Sequence, residues 1–261
     1  STITQLMLPA LSIAALGMIE SLLCGASAGK MKNEKLSQRL TQVGEFVPQD
    51  AILLDVGSDH AYLPIHLVKT GRINKAIAGE VVKGPYESAV ANVQSAGLQD
   101  QISVRLANGL AAFEPTTDGV NTITIAGMGG HLIAEILEDG RDKLCQVSTM
   151  ILQPNNGERH LRTWLQAHDF TISDEKILAE NDKIYEIIVA HPGQSVDRLT
   201  EAELCFGPFL LQEKSTVFLE KWASELAANQ EILSKIPASA QQKQAEFSAK
   251  IAKIKEVLNV S

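Results

Sequence analysis

The stretch Asp55-Val56-Gly57-Ser58-Asp59-His60 sets two carboxylates and an imidazole around one glycine, directly after the apolar run Ile52-Leu53-Leu54. An apolar run preceded by Pro48 and Asp50 predicts a buried parallel strand, and Gly57 permits the close backbone approach that a bound cofactor demands. Sites that cradle a pyrophosphate use the glycines of G-x-G-x-x-G to bring backbone amides onto the phosphates, but here Asp59, His60, Ala61 and Tyr62 follow with no further glycine. A carboxylate facing a pyrophosphate in a low-dielectric pocket is repelled; one facing an ammonium and a sulfonium is attracted. Asp55 and Asp59 therefore predict S-adenosylmethionine rather than a nicotinamide dinucleotide. The competing reading makes Asp59 an Asx-type turn residue and His60 a cap.

Further candidates lie at the ends of later apolar runs. Lys75-Ala76-Ile77-Ala78-Gly79-Glu80 ends on an acid about twenty residues past the glycine turn, where nucleotide-binding α/β folds place a carboxylate on ribose hydroxyls. After the strand expected over Ile102–Leu106, Asn108 and Gly109 fall where such enzymes read an adenine edge, with a plain turn as the alternative. The strand expected over Asn121–Ala126 feeds Gly127-Met128-Gly129-Gly130. Those glycines require the backbone to pass close to something, facing the first turn across the topological switch point. Tyr86, beside Gly84 and Pro85 at the mouth of the expected cleft, is placed either to stack on a base or to pack.

The elements that must position these residues alternate. A helix through Leu36, Leu40 and Val43, one opening near Leu63 and Pro64, and one over Pro85–Ala96 separate the strands, the pattern of a parallel sheet covered on both faces. A fifth strand, Thr149–Leu152, runs into Gln153-Pro154-Asn155-Asn156 and a helix carrying Leu161, Trp164 and Leu165 toward the core. Thr171–Leu178 and Lys183–Val189, joined only by Ala179-Glu180-Asn181-Asp182, must be antiparallel, because a parallel connection needs a dozen or more residues. A parallel sheet that closes with a hairpin is the methyltransferase arrangement, and ordinary NAD-binding domains lack it.

The 261 residues, 45% of them hydrophobic, suit one large α/β domain with an appendage. Cys24, Cys145 and Cys205 have neither C-x-x-C spacing nor histidine partners, so no disulfide framework or zinc site is expected, and a reducing cytoplasm fits. Leu6–Cys24 is apolar but broken by Pro9, Gly17 and Glu20, a poor signal peptide and a poor membrane span. Residues 1–30 are expected to be an extension outside the core, with a peripheral helix as the alternative and Met31 a natural start. The net charge of −8 argues against indiscriminate nucleic-acid binding but leaves room for a local basic face. Leu211, Phe218, Trp222, Leu226 and Leu233, then Phe247, Ile251, Ile254 and Leu258, recur at helical spacing and are interrupted at Pro237 and Ser239, which predicts a helical hairpin. Lys214, Lys221, Lys243, Lys250, Lys253 and Lys255 are interspersed with acids, so only some of them can face phosphates.

Asp55-Val56-Gly57-Ser58-Asp59-His60-Ala61-Tyr62-Leu63-Pro64, Gly79-Glu80-Val81-Val82-Lys83-Gly84-Pro85-Tyr86, Ile125-Ala126-Gly127-Met128-Gly129-Gly130 and Leu152-Gln153-Pro154-Asn155, in this order, closely resemble the bacterial tRNA (adenine-22-N1)-methyltransferases from about Met31 onward. The resemblance implies a class I methyltransferase domain over residues 31–193 and a helical, coiled-coil-like domain over 194–261. It implies S-adenosylmethionine as donor and an adenine of the tRNA D-arm as acceptor; the chain is separately expected to work as a monomer in the cytoplasm, without metal or membrane. On these motifs the donor falls to Asp55, Gly57, Asp59, Glu80 and Val81 and, on the facing side, to Ala126, Gly127, Met128 and Gly129, joined by Asn108 and Gly109 from their place after the third strand. Tyr62, Tyr86, Gln153 and Asn155 fall to the acceptor base.

Ring nitrogen N1 has an in-plane lone pair and needs no prior deprotonation, so alignment should supply most of the acceleration. Asp59 is expected to stabilise charge on the base and take the proton lost afterwards, with His60 positioning it. The Asn or Asp, Pro-Pro and aromatic signature of amino-methyltransferases is absent after the fourth strand, which argues against exocyclic-amine chemistry. N1 lies on the Watson-Crick edge, so a paired base must be extruded. Two other classes stay open: an NAD(P)-binding oxidoreductase, and a non-catalytic interaction protein on a methyltransferase-like core.

Overall fold

Leu53 and Leu54 point to opposite faces of β1 (Ile52–Val56) and seed two separate cores. A computed structural model describes residues 36–193, 197–237 and 239–260; the expected extension over 1–30 and the start at Met31 lie outside the described residues. β1 pairs in parallel with β2 (Lys75–Glu80) and β4 (Thr122–Met128); β3 (Ile102–Leu106) flanks β2, and β5 (Thr149–Pro154) flanks β4. β6 (Phe170–Glu180) and β7 (Lys183–Pro192) close the seven-stranded sheet antiparallel, in the order β3-β2-β1-β4-β5-β7-β6. The hairpin turn is tighter than expected: Asn181 and Asp182 alone make it, both left-handed, as a two-residue connection requires.

Helices α1 (Gln38–Phe46), α2 (Tyr62–Lys69) and α3 (Lys83–Ala96) cover the face that receives Leu53, Ala76, Ala78 and Ile151. The short α4 (Pro115–Asp118) follows β3. The opposite face, holding Leu54, Ile123, Ile125 and Leu152, is covered by α5 (Gly130–Asp139) and α6 (Glu158–Ala167), with Leu161, Trp164 and Leu165 inward as expected. β4 and β5 each run two residues past their expected ends, so Gly127-Met128 and Gln153-Pro154 are strand rather than loop, with an irregularity between Ala126 and Met128. Backbone pairing with the neighbouring strand overrides the low strand propensity of Gly and Pro there.

Val56 stands level with Gly79 on one side and Ile125 on the other. Gly57, Glu80 and Ala126 thus lie level at the carboxyl edge, where the strand order reverses between β1 and β4 and where open α/β sheets bind ligands. Beyond β7, two short helices that periodicity did not announce, α7 (Glu201–Phe206) and α8 (Pro208–Glu213), lead into the antiparallel pair α9 (Thr216–Lys235) and α10 (Gln241–Leu258). Their core of Phe206, Leu210, Phe218, Ile254 and Val257 includes Ile177 of β6 and is packed by Ile184 of β7, so the hairpin forms the seat of the C-terminal helices.

Candidate active site

The bend after β1 is an unusual piece of backbone. Gly57 takes φ +64, and Asp59, His60 and Ala61 follow with φ +40, +69 and +58. Left-handed non-glycine residues cost of order 1–3 kcal/mol each and persist only where their surroundings over-determine them. Here they are held from several sides. Gly57 and Ser58 both donate their N–H to the carbonyl of Gly79, at 2.9 and 3.2 Å, and Asn92 donates from Nδ2 to the carbonyl of His60 at 3.0 Å. Underneath, Asp55 accepts from Ser58 Oγ at 2.5 Å and from Thr124 Oγ1 at 2.6 Å. Both oxygens of Asp55 are therefore engaged by the protein, and this buried carboxylate braces the bend from below. Burial raises its pKa to about 6 against the two hydroxyl donors and the Arg39 charge, which lower it.

The strained run turns the Asp59 side chain outward, 81% exposed, with His60 Nε2 at 3.4 Å from Oδ1 and the His60 ring 5.3 Å from that of Tyr62. The Asp59 N–H points the other way and donates to Glu80 Oε1 at 2.5 Å. Glu80 is buried, and Oε2 has no hydrogen-bond partner among the described residues. Burial raises its pKa to about 7; the Asp59 N–H lowers it, and the carboxylates of Asp59 and Asp55 raise it further. Beside it Val81 and Leu106 are 64% and 52% exposed. A buried acid with a free oxygen between exposed apolar side chains fits a ribose hydroxyl pair and the face of an adenine. Asn108 follows on the rim, and Gly109 is glycine because a side chain there would meet Ile136.

The facing wall is the end of β4. Met128 Cε lies against Gly57, in the space a Cβ would need, so the close approach expected of these glycines is met first by the protein itself. Gln153 is fully buried: Oε1 accepts from Gly127 N at 3.0 Å and from Arg39 Nη1 at 2.6 Å, while Nε2 donates to Pro154 O and Asn155 Oδ1. Asn155 in turn donates from Nδ2 to the Gly127 carbonyl at 2.8 Å. Both peptide groups of Gly127 are thus clamped, and Gln153 has no amide group left over for a base. Arg39, which sequence reasoning missed, also lies over the Tyr185 ring at 5.4 Å. No local signal marks it, because its partner is 114 positions away. Thr124 had a signal, a polar residue in an apolar strand, but not a role.

Tyr62 and Asn155 are exposed, and Tyr86 is half-buried in the first turn of α3. Among the described residues no group of three or more His, Cys, Asp or Glu could hold a metal, and no helix is long and apolar enough to cross a membrane.

Parallel strands closed by an antiparallel hairpin, with acids at the ends of β1 and β2 and no phosphate-binding glycine loop, define a Rossmann-like methyltransferase. The model of the TrmK family, tRNA (adenine(22)-N(1))-methyltransferase, matches residues 53–256, and the chain belongs to that family. It is 42% identical over 238 residues to the tRNA (adenine(22)-N(1))-methyltransferase of Bacillus subtilis, covering 88% of this chain and 99% of the relative. A Streptococcus pneumoniae protein solved in complex with S-adenosyl-L-methionine superimposes with a TM-score of 0.80 at 55% identity, covering 86% of this chain and 100% of that one. TrmK of M. capricolum, solved with S-adenosyl-homocysteine, superimposes with a TM-score of 0.78 at 31% identity, over 87% and 99% of the two chains. None of these matches supports the oxidoreductase or the non-catalytic alternative.

Proposed function

We infer that this enzyme transfers a methyl group from S-adenosylmethionine to N1 of adenine 22 in the D-arm of tRNA. The observation that carries this reading is the pair of carboxylates at the carboxyl edge of the sheet, Asp59 outward and Glu80 with its free oxygen inward. When bound, S-adenosylmethionine supplies a methyl group on a cationic sulfur. Glu80 would receive its ribose hydroxyls, Val81, Leu106, Asn108 and Gly109 would hold its adenine, and Gly57 and the Ala126–Gly129 wall would hold the remainder. The base is aligned between Asp59 and Asn155, with Tyr62 or Tyr86 as its stacking surface. Its N1 lone pair lies in the ring plane, so no base catalyst is needed beforehand; the Asp59 carboxylate stabilises the charge that develops on the ring and receives the exocyclic proton lost afterwards, with His60 fixing its rotamer.

Residues up to 193 carry the chemistry, and the helices beyond 194 hold the tRNA. Of the candidate lysines, Lys221 is drawn into a buried ion network, Lys214 donates to the Val257 carbonyl, and Lys250 and Lys253 pair with Glu225 and Glu201. Lys243 and Lys255 have no ion-pair partner among the described residues and are left for phosphates. The enzyme acts as a monomer in the cytoplasm, where its substrate is made.

The test is incubation of an unmodified tRNA transcript with methyl-labelled S-adenosylmethionine, followed by nucleoside analysis. Label in 1-methyladenosine at position 22 is expected, and Asp59→Asn should lower kcat about 100-fold while leaving S-adenosylhomocysteine affinity within an order of magnitude. Label at N6 or on another base would overturn the reading.

A further inference from the structure

His131 and His160 stack on each other at the carboxyl edge, ring centroids 4.0 Å apart and planes 14° from parallel. Both side chains are exposed, and neither makes a hydrogen bond or ion pair among the described residues. They come from different elements, the first turn of α5 and the first turn of α6.

The backbone beneath them is arranged to bring the two turns this close. Asn155 N donates to Met128 O and Gly130 N donates to Asn156 O, each at 2.7 Å, so the segments after β4 and β5 are zipped together. A Cβ on Gly130 would lie 2.5 Å from the Gly157 carbonyl oxygen, and one on Gly157 would lie 2.9 Å from His131 Nδ1. Only glycine at both positions lets the imidazoles meet. The same zipped segments carry Met128 and Asn155, which form the wall of the cleft. Leu132, the next residue along α5, is 48% exposed.

Exposed, stacked aromatic rings with no hydrogen-bond or ion-pair partner among the described residues are poor candidates for a structural contact, because they bury little and satisfy nothing. They match what a nucleobase needs: a flat π-face with ring N–H and N positions at its margin. Resting on the function inferred above, we propose that His131 and His160 form a stacking platform for an unpaired nucleobase of the tRNA next to the extruded adenine. The platform binds RNA and takes no part in methyl transfer.

Two double variants of the full chain test this, each assayed with an unmodified tRNA transcript and S-adenosylmethionine. His131→Ala with His160→Ala should raise KM for tRNA about tenfold and leave kcat and KM for S-adenosylmethionine within about twofold. His131→Phe with His160→Phe keeps the π-faces, removes the ring nitrogens and should stay within about threefold of the wild type. An unchanged tRNA KM in the alanine pair would overturn the platform. A phenylalanine pair as impaired as the alanine pair would also overturn it, assigning the rings to hydrogen bonding or charge, and a parallel rise in KM for S-adenosylmethionine would assign them to the wall of the donor site. Failure of the wild type to methylate tRNA would instead defeat the underlying function, so the two failures are distinct.

Discussion

Glu80 and Asp59 are joined through the backbone: the carboxylate that ends β2 accepts, at 2.5 Å, the N–H of the residue that leaves β1. One oxygen of Glu80 thus helps to hold the left-handed bend while the other has no hydrogen-bond partner among the described residues. Because the bend sets the direction of the Asp59 side chain, the acid assigned to the donor and the acid assigned to the base are mechanically one unit.

That coupling has a pH signature. Burial raises Glu80 to about 7 and Asp55 to about 6, so in the range between the ordinary carboxylate pKa and these values the folded chain binds more protons than the unfolded one. Their contribution to stability is full below about pH 4 and is lost as pH rises through about 6 to 7. The Tm of the ligand-free chain is expected to carry a downward slope between about pH 4.5 and 7 that Glu80→Gln reduces. Donor affinity should run the opposite way, since only ionised Glu80 accepts two hydroxyls. Calorimetry with S-adenosylhomocysteine should find tighter binding at about pH 8 than at pH 6, and a pH slope that survives in Glu80→Gln would remove Glu80 from the donor site.

Gly57→Ala tests the packing of the bend. Its φ of +64 disfavours a side chain, and the new methyl would occupy the place of Met128 Cε. A loss of about 2–3 kcal/mol is expected, with donor affinity reduced about tenfold. Met128→Ala added to Gly57→Ala should recover the contact portion and leave about 1 kcal/mol of backbone strain. Additive losses in that double-mutant cycle would mean that the two residues do not meet.

The placement of Asp59 and Glu80 at the carboxyl edge was legible because they stand where apolar runs end, and in a parallel sheet those ends are the ligand edge. The boundaries of β2 and β3 follow from the same runs, bounded by turn residues. β4 and β5 were read short because Gly127 and Pro154 look like loop when considered alone, whereas the pairing that makes them strand belongs to the neighbouring chain segment. Arg39, the His131–His160 stack and the engaged amide of Gln153 were illegible for one shared reason: each depends on partners brought together by the sheet order, and none leaves a periodic or spacing signal. Lys221 was read as a surface lysine on its helix, and the buried acid that captures it is on β7.

Arg39→Met removes the charged donor from Gln153 Oε1 and one of the influences that lower the Asp55 pKa. Gln153 keeps only Gly127 N on that oxygen, so the clamp on the cleft wall loosens without losing its packing. The expected result is a fall in kcat of about tenfold with a smaller change in S-adenosylhomocysteine affinity. The pH at which activity rises should shift upward as Asp55 becomes harder to ionise; unchanged kcat and an unshifted profile would restrict Arg39 to docking α1.

Arg162 is fully buried between Glu175 on β6 and Glu186 on β7, at 2.8 and 2.6 Å, and Lys221 of α9 reaches Glu186 at 2.7 Å and Glu158 at 2.9 Å. Glu175 also accepts the N–H of Phe209 in α8 at 3.0 Å. This network is the polar half of the seat whose apolar half is Ile177 and Ile184. Arg162→Met leaves Glu175 without its charge partner in the interior, a defect worth about 3–5 kcal/mol, whereas adding Glu175→Gln to it removes the unpaired charge and should restore about half of the loss. Because the seat fixes the C-terminal helices on the hairpin, the single variant should also raise amide exchange in α8 and α9 more than in β1 and β2, and raise KM for tRNA more than KM for S-adenosylmethionine. Uniform exchange across the chain would mean that the network stabilises the whole fold evenly and has no special part in holding the helices to the sheet.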